Sequence, residues 1–353
     1  MSMSDLEIST PAGESAPAGE AEGRSPWRLA ADRLRRDRLA VASAIVIGLV
    51  VAAALAAPLV AALVGHAPDQ QYRDTGITSA GLPVAPNGEF LFGTDHLGRD
   101  LLVRVLYGAR ISLLVGVGAT GLATIAGVVI GMLAGYFGGV VDTILARVMD
   151  IVLSLPYLLI ALVLATVFGP NLFVTLGIIA FFAWAAIARI VRGQTLALKE
   201  REYVQAARSL GASDLRIMFV DILPNLLAPV IVLGTLLIPL TIVIESTLSF
   251  LGVGIVPPEA SWGTILKEAK DFYRVAWWYI LFPGAAILLT TLAFNLFGDG
   301  IRDALDPRAE RLFAARKRGR KSGRATDNET NEALDGTPAD ESPVETTAGK
   351  ERD

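Results

Sequence analysis

Charged residues are absent from five long windows of this chain: 39–64, 111–141, 151–188, 222–244 and 275–298. A helix needs about 20 apolar residues to cross the roughly 30 Å of hydrocarbon in a bilayer. Four of the windows therefore predict one membrane span each. The window 151–188 is too long for one span, and Phe168-Gly169-Pro170-Asn171 interrupts it with a turn signature, so it predicts a helical hairpin. The second span ends near Gly135-Tyr136-Phe137-Gly138-Gly139. In lipid the backbone must satisfy its own hydrogen bonds, and these lengths suit helices rather than barrel strands. The predicted fold class is an all-α membrane protein with six transmembrane helices.

The segment 202–225, between spans four and five, has a different period. Tyr203, Ala206, Ala207 and Leu210 fall at i, i+3, i+4 and i+7, one face of a helix. Gly211 suits the left-handed conformation that ends a helix. Ser213 can cap a second helix, with Asp214 in its positive first turn. Leu215, Met218, Phe219 and Ile222 repeat the spacing, and Pro224 disfavours further helix where the next span begins. Two short amphipathic helices joined at 211–213 are expected outside the bilayer. The pattern allows either a docking surface for a partner or a hairpin packed only on its own membrane helices. A DNA-binding helix-turn-helix would need a positive excess, whereas 199–221 holds four basic and four acidic residues.

Composition supports the membrane reading. Of 353 residues 53% are hydrophobic and 19% charged, and the mean hydropathy is +0.52, outside the range of soluble chains. The absence of cysteine excludes disulfides and thiolate metal sites, and two histidines do not furnish a multi-histidine site. Basic residues set the orientation. With the N-terminus inside, 22 Lys and Arg lie in or beside inner segments, against seven in the outer segments 65–110 and 251–276. Both termini are therefore expected in the cytoplasm, and so is the 202–224 hairpin. The domain organisation reads as a disordered leader over 1–26 and a first span with its extracytoplasmic segment over 27–110. A core of five spans follows over 111–308, then a basic and finally acidic disordered cytoplasmic tail over 309–353. A cleaved signal peptide is the rival for the first span, but the run is longer than a signal core and its basic flank lies far from Met1.

Several motifs are weaker than they look. Gly116-Val117-Gly118-Ala119-Thr120-Gly121 fits a dinucleotide fingerprint but lacks a preceding strand and an acidic ribose partner. Gly127, Gly131 and Gly135 recur every fourth residue and predict close helix packing instead. No phosphate-binding G-x-x-x-x-G-K-[ST] occurs, so an energised role requires a separate ATPase. Asp95, His96 and Asp100 could suggest a metal site, but 97–113 reads better as an amphipathic stretch at the membrane surface, with Leu97, Leu101, Val105 and Leu106 apolar. Neither a metal site nor a catalytic residue is assigned. Glu245, near the outer end of span five, either lines a passage or sits among headgroups or local backbone amides. Asp299, Arg302, Asp303 and Arg308 form an expected structural cluster after span six.

The hairpin closely resembles the "EAA" signature of bacterial ABC-importer permeases. Gln205-Ala206-Ala207, Gly211 and Leu223-Pro224 align in register, with Gln205 in place of Glu and Asp221 in place of Ile. The stretches FGTDHLGRDLLVRVLYGARISL (92–113), ESTLSFLGVGIVPPEASWG (245–263) and NLFGDGIRDALDPR (295–308) resemble the second permease of the dipeptide, oligopeptide and nickel importer group. This resemblance implies a non-catalytic permease subunit of an ATP-driven importer. It would form the path for di- or oligopeptides, or a related solute, with a second homologous permease. The further implied partners are two cytoplasmic ATPases, an extracytoplasmic solute-binding protein and the lipid bilayer, with no nucleic acid. No cofactor is bound by this chain; ATP and magnesium are used by the ATPases. The implied coupling residues are Glu202, Tyr203, Gln205, Ala206, Ala207, Arg208, Gly211, Ala212, Ser213, Leu215, Leu223 and Pro224. An ion-gradient transporter is the alternative, but it would need ionisable residues at mid-membrane, which are almost lacking. A membrane receptor or enzyme would need a catalytic constellation in the spans, and none is visible.

Overall fold

Asp37 ends one helix and begins another. In the computed structural model, which describes residues 26–305, α1 (Pro26–Arg36) closes on a basic last turn with Arg33, Arg35 and Arg36. The Asp37 carboxylate then accepts hydrogen bonds from the backbone N–H of Leu39 and Ala40, satisfying donors that a helix start leaves free, and so opens α2 (Arg38–Val64). Apart from Pro26, which opens α1, the expected leader lies outside the described residues, as does the expected tail.

Nine more α-helices follow among the described residues: α3 (Leu101–Phe137), α4 (Gly139–Ser154), α5 (Tyr157–Phe168), α6 (Leu172–Leu198), α7 (Glu202–Ser209), the single turn α8 (Asp214–Arg216), α9 (Leu223–Leu251), α10 (Trp262–Ala269) and α11 (Trp277–Leu305). Among the described residues, five helical runs are long and apolar enough to cross a membrane, and a sixth forms if the bent pair α4–α5 is one span. Among the described residues there is no strand, only isolated pairings of Ile77 with Pro83 and Thr94 with Asp100.

The helical expectations need three corrections. The third span is not a straight helix: α4 and α5 meet at 88°. Pro156 lacks an N–H and drives Leu155 into an extended conformation (ψ 135°), a break that the turn signature at 168–171 overshadowed. The stretch 97–113 is not a surface helix. From Leu101 onward it is the start of the long α3, with Leu101 and Val105 buried in the core. Finally, Pro224 does not stop the second hairpin helix. A π-helical turn (Ile217–Ile222), in which the Leu223 N–H reaches back to the Met218 carbonyl, joins α8 to α9 as one run from Asp214 to Leu251. Proline is tolerated there because it stands in the first turn of α9, where a missing N–H costs little.

The centre of the fold is the contact of α3 with α6. Gly127, Gly131 and Gly135 let the two backbones approach closely, as their spacing predicted. A Cβ on Gly127 would lie 2.7 Å from Ile187 Cβ, and one on Gly135 2.7 Å from Thr195 Cβ. At one end of the bundle, segment 65–100 meets the segment after α9: Trp278 Nε1 donates to Thr94 O, and Asp95 and Glu268 share two arginines. At the other end, Lys199 Nζ donates to Gly135 O at 2.9 Å and Arg33 donates to Ala304 O.

Candidate functional site

The α7–α8 hairpin keeps its predicted local chemistry. Gly211 adopts φ 81°, and Ser213 Oγ accepts from Arg216 N–H. Its apolar stripes, however, point in two directions. Met218 and Ile222 are buried with Val204 and Ile217, while Tyr203 (44%), Leu210 (88%), Leu215 (66%) and Phe219 (54%) are exposed. Val204 and Ile217 are the anchors that the helical-face reading missed. Val204 lies one position from Tyr203, where periodicity named the wrong neighbour, and Ile217 is buried beside the Met218 that periodicity did name. Ala207, Ala212 and Leu223 are half-buried, and Glu202, Gln205, Ala206, Arg208 and Pro224 are exposed.

The hairpin is fastened to α3. Tyr136 Oη donates to Asp214 Oδ1 at 2.7 Å, and the Arg208 guanidinium lies 5.7 Å from the centre of the same ring. Gln205 Nε2 donates to the Glu200 carbonyl, just before α7, at 3.2 Å, so the residue standing in place of the signature glutamate binds the backbone that leads into its helix. Ser209 Oγ donates to Gln205 O. The surface that results is an exposed apolar patch on a two-helix projection, continuous with one spanning helix.

Glu245 is fully buried in the seam between α3 and α9. Its carboxylate accepts from Ser112 Oγ (2.9 Å), Ser249 Oγ (2.7 Å) and Ser246 Oγ (3.4 Å). Ser249 Oγ accepts from Ile255 N–H, and Ser112 Oγ from Trp262 N–H, so the carboxylate reaches the loop after α9 and the first residue of α10 through two hydroxyls. Of the readings considered for it, a place among headgroups or as a direct cap of backbone amides does not match this geometry, and for the other, a place on the passage, the carboxylate is enclosed in this conformation.

Asp95, His96 and Glu268 converge, while Asp100 turns away to His66 Nδ1 (2.6 Å) and to the first turn of α3. Asp95 accepts from Arg99 Nε and Arg104 Nη1, each at 2.5 Å; Glu268 accepts from Arg99 Nη2 (3.0 Å), Arg104 Nη1 (2.5 Å) and Tyr279 Oη (2.9 Å). Two guanidinium groups thus occupy the lone pairs a cation would need, and the donor set fits an ion-pair network rather than a metal. Burial alone would raise the Glu268 carboxyl, but the hydrogen bond and charge of Arg104, with Arg99 and Tyr279, hold it below the usual carboxylate range. Asp299, Arg302 and Asp303 are exposed and make no ion pair among the described residues, so the expected cluster after span six is solvated rather than paired; Arg308 lies outside them.

Comparison with known proteins follows the same lines. Residues 127–311 match the family described as binding-protein-dependent transport system inner membrane component, and 25–80 match the N-terminal transmembrane domain of oligopeptide transport permease C. The di/tripeptide transport system permease protein DppC of Pseudomonas aeruginosa is 43% identical over 243 residues, 69% of this chain and 80% of that protein. The oligopeptide transport system permease protein OppC of Escherichia coli is 42% identical over 290 residues, 82% of this chain and 93% of that one. A solved structure of the MetNI methionine ABC transporter, in inward-facing conformations, overlaps 57% of this chain and 96% of its own with TM-score 0.48 and 17% identity. The chain belongs to the family of inner-membrane components of binding-protein-dependent transport systems.

Proposed function

We propose that this chain is a permease subunit of an ATP-driven peptide importer, with the α7–α8 hairpin as its coupling element. The observation that carries the reading is the exposed patch of Tyr203, Leu210, Leu215 and Phe219 on a hairpin whose other side is anchored by Val204, Ile217 and Met218. Large apolar side chains held out on a folded projection fit a partner's groove. The peptide substrate is suggested by the names of the DppC and OppC relatives. A second homologous permease, two cytoplasmic ATPases and an extracytoplasmic binding protein complete the assembly. ATP and magnesium act in the ATPases, and both termini and the hairpin lie in the cytoplasm, as the basic residues favour.

Continuity supplies the mechanism. Because Asp214–Leu251 is one helical run, a push on the hairpin moves the length of span five. At its far end that run carries Glu245, tied through Ser249 and Ser112 to the outer loop. Closure of the ATPase pair thereby changes the seam between spans two and five, and Glu245 enters the passage only when those spans part. The two states differ in affinity for their partners, which is what ATP binding biases.

Cysteine cross-linking tests the coupling, since the native chain has none. Ala212→Cys, co-expressed with the ATPases carrying single cysteines along the presumed groove, is expected to give one specific cross-link whose yield changes with ATP. No cross-link across several groove positions in a folded assembly returns the hairpin to a purely structural role.

A further inference from the structure

We propose that a pocket at the end of the bundle opposite the hairpin binds the headgroup of a zwitterionic phospholipid, taking phosphate on Arg110 and ammonium on Asp69 and Glu259. The pocket has a volume of about 300 Å³ and is lined by these three residues together with Tyr107, Ile111 and Leu114. That is the lower end of the ligand-site range, of headgroup size. Its charges are of both signs and stand apart. Arg110 makes no ion pair among the described residues; its one contact is the Tyr107 ring, 5.5 Å from the guanidinium carbon, and Asp69 and Glu259 make none either. Opposite charges held in one concavity without pairing fit a ligand that carries both.

The level of the pocket in the membrane follows from the helices. Arg110 is the last charge before the uncharged run that begins at Ile111. From there to the end of α3 at Phe137 the helix rises about 40 Å, against roughly 30 Å of hydrocarbon, so Arg110 stands at headgroup depth. Asp69 follows the end of α2 at Val64, and Glu259 follows the end of α9 at Leu251. Three span ends meet at this one level.

A short peptide would satisfy the charges alone, but the pocket continues as an apolar track. Tyr107, Leu114 and Ile125 share one face of α3, and Leu114 (51%) and Ile125 (66%) are exposed along it, flanked by exposed Val117 and Leu122. An acyl chain has somewhere to lie below the headgroup; a peptide has no use for that track. A guanidinium matches phosphate oxygens in two-point geometry, and the Tyr107 ring fits the interfacial belt where such anchors sit.

The test uses the assembled importer in nanodiscs of equal phosphatidylethanolamine and phosphatidylglycerol, followed by native mass spectrometry of the lipid retained after detergent extraction. Wild type is expected to retain phosphatidylethanolamine preferentially. Arg110→Ala should lower the retained lipid about tenfold, the size of a lost charge-assisted contact, while Arg110→Lys keeps most of it. Asp69→Asn with Glu259→Gln should keep lipid and abolish the headgroup preference. These are exposed positions, and an unchanged melting temperature confirms folding. Equal retention in Arg110→Ala and wild type overturns the proposal, as does equal retention of both lipids by wild type. An assembly that retains no lipid, because the second permease covers the pocket, overturns it too.

Discussion

Arg104 is 1% exposed and Asp95 fully buried, yet both are charged residues, one in the first turn of α3 and the other in the segment just before it. They persist because two cations and two carboxylates interlock: Arg99 and Arg104 each reach both Asp95 and Glu268. Removing one partner of a buried set leaves an uncompensated charge, at a cost of about 3–5 kcal/mol. Glu268→Gln should therefore lower the melting temperature of the purified protein. The sign of its pH dependence follows from the depressed folded-state pKa of Glu268. Its contribution is complete above the ordinary glutamate range and is lost as pH falls through the lower folded value. Melting temperatures measured from neutral to acid pH should fall on that acid limb in wild type and fall less steeply in Glu268→Gln. Parallel limbs in the two proteins would sink the assignment.

At the scale of elements, the α3–α6 pair is a close-packed glycine seam and the α8–α9 run is one long helix that joins the hairpin to span five. Gly131 lies where a Cβ would meet the Ala188 carbonyl and stand 2.9 Å from Val191 Cβ, and neither can yield without moving a helix. Gly177, on α6, would meet nothing within 4 Å. The same substitution should thus have opposite signs. Gly131→Ala is expected to destabilise by about 1–3 kcal/mol through overpacking, while Gly177→Ala should be neutral or gain up to about 1 kcal/mol of helix propensity. Thermal-shift measurement in detergent decides it; equal shifts would mean that α3 and α6 do not pack as described. The π-helical turn at Ile217–Ile222 lets a proline stand at the base of span five without cutting it from the hairpin.

For the whole molecule, the two ends of the bundle have different chemistry. One holds the ion network, the Glu245 seam and the mixed-charge pocket; the other holds the basic turn of α1 and the exposed apolar hairpin. Thiol labelling checks the orientation proposed for them. In intact cells a membrane-impermeant maleimide is expected to label Tyr273→Cys, exposed at the first end. It should reach Leu215→Cys, exposed on the hairpin, only after permeabilisation. The reverse pattern would invert the protein in the membrane.

What the sequence by itself determined rests on local physics. The positions of the apolar spans, the turn at Gly211, the cap at Ser213 and the glycine seam of α3 all follow from hydropathy, backbone freedom and periodicity, which act within a few residues. The hairpin at 202–225 was legible for the same reason, since its turn, its cap and its signature spacing are written in order along the chain. Which apolar residues of that hairpin turn inward was decided only in three dimensions, because Val204 and Ile217 win burial through their neighbours on other helices. The same holds for Ser112, which joins Ser246 and Ser249 of Glu245's own helix around its carboxylate, and for the pairing of Arg99 and Arg104 with Glu268. Hydrogen-bond and charge partners so distant along the chain leave no periodic trace, and only the packing of α3 against α9 and α10 brings them within reach.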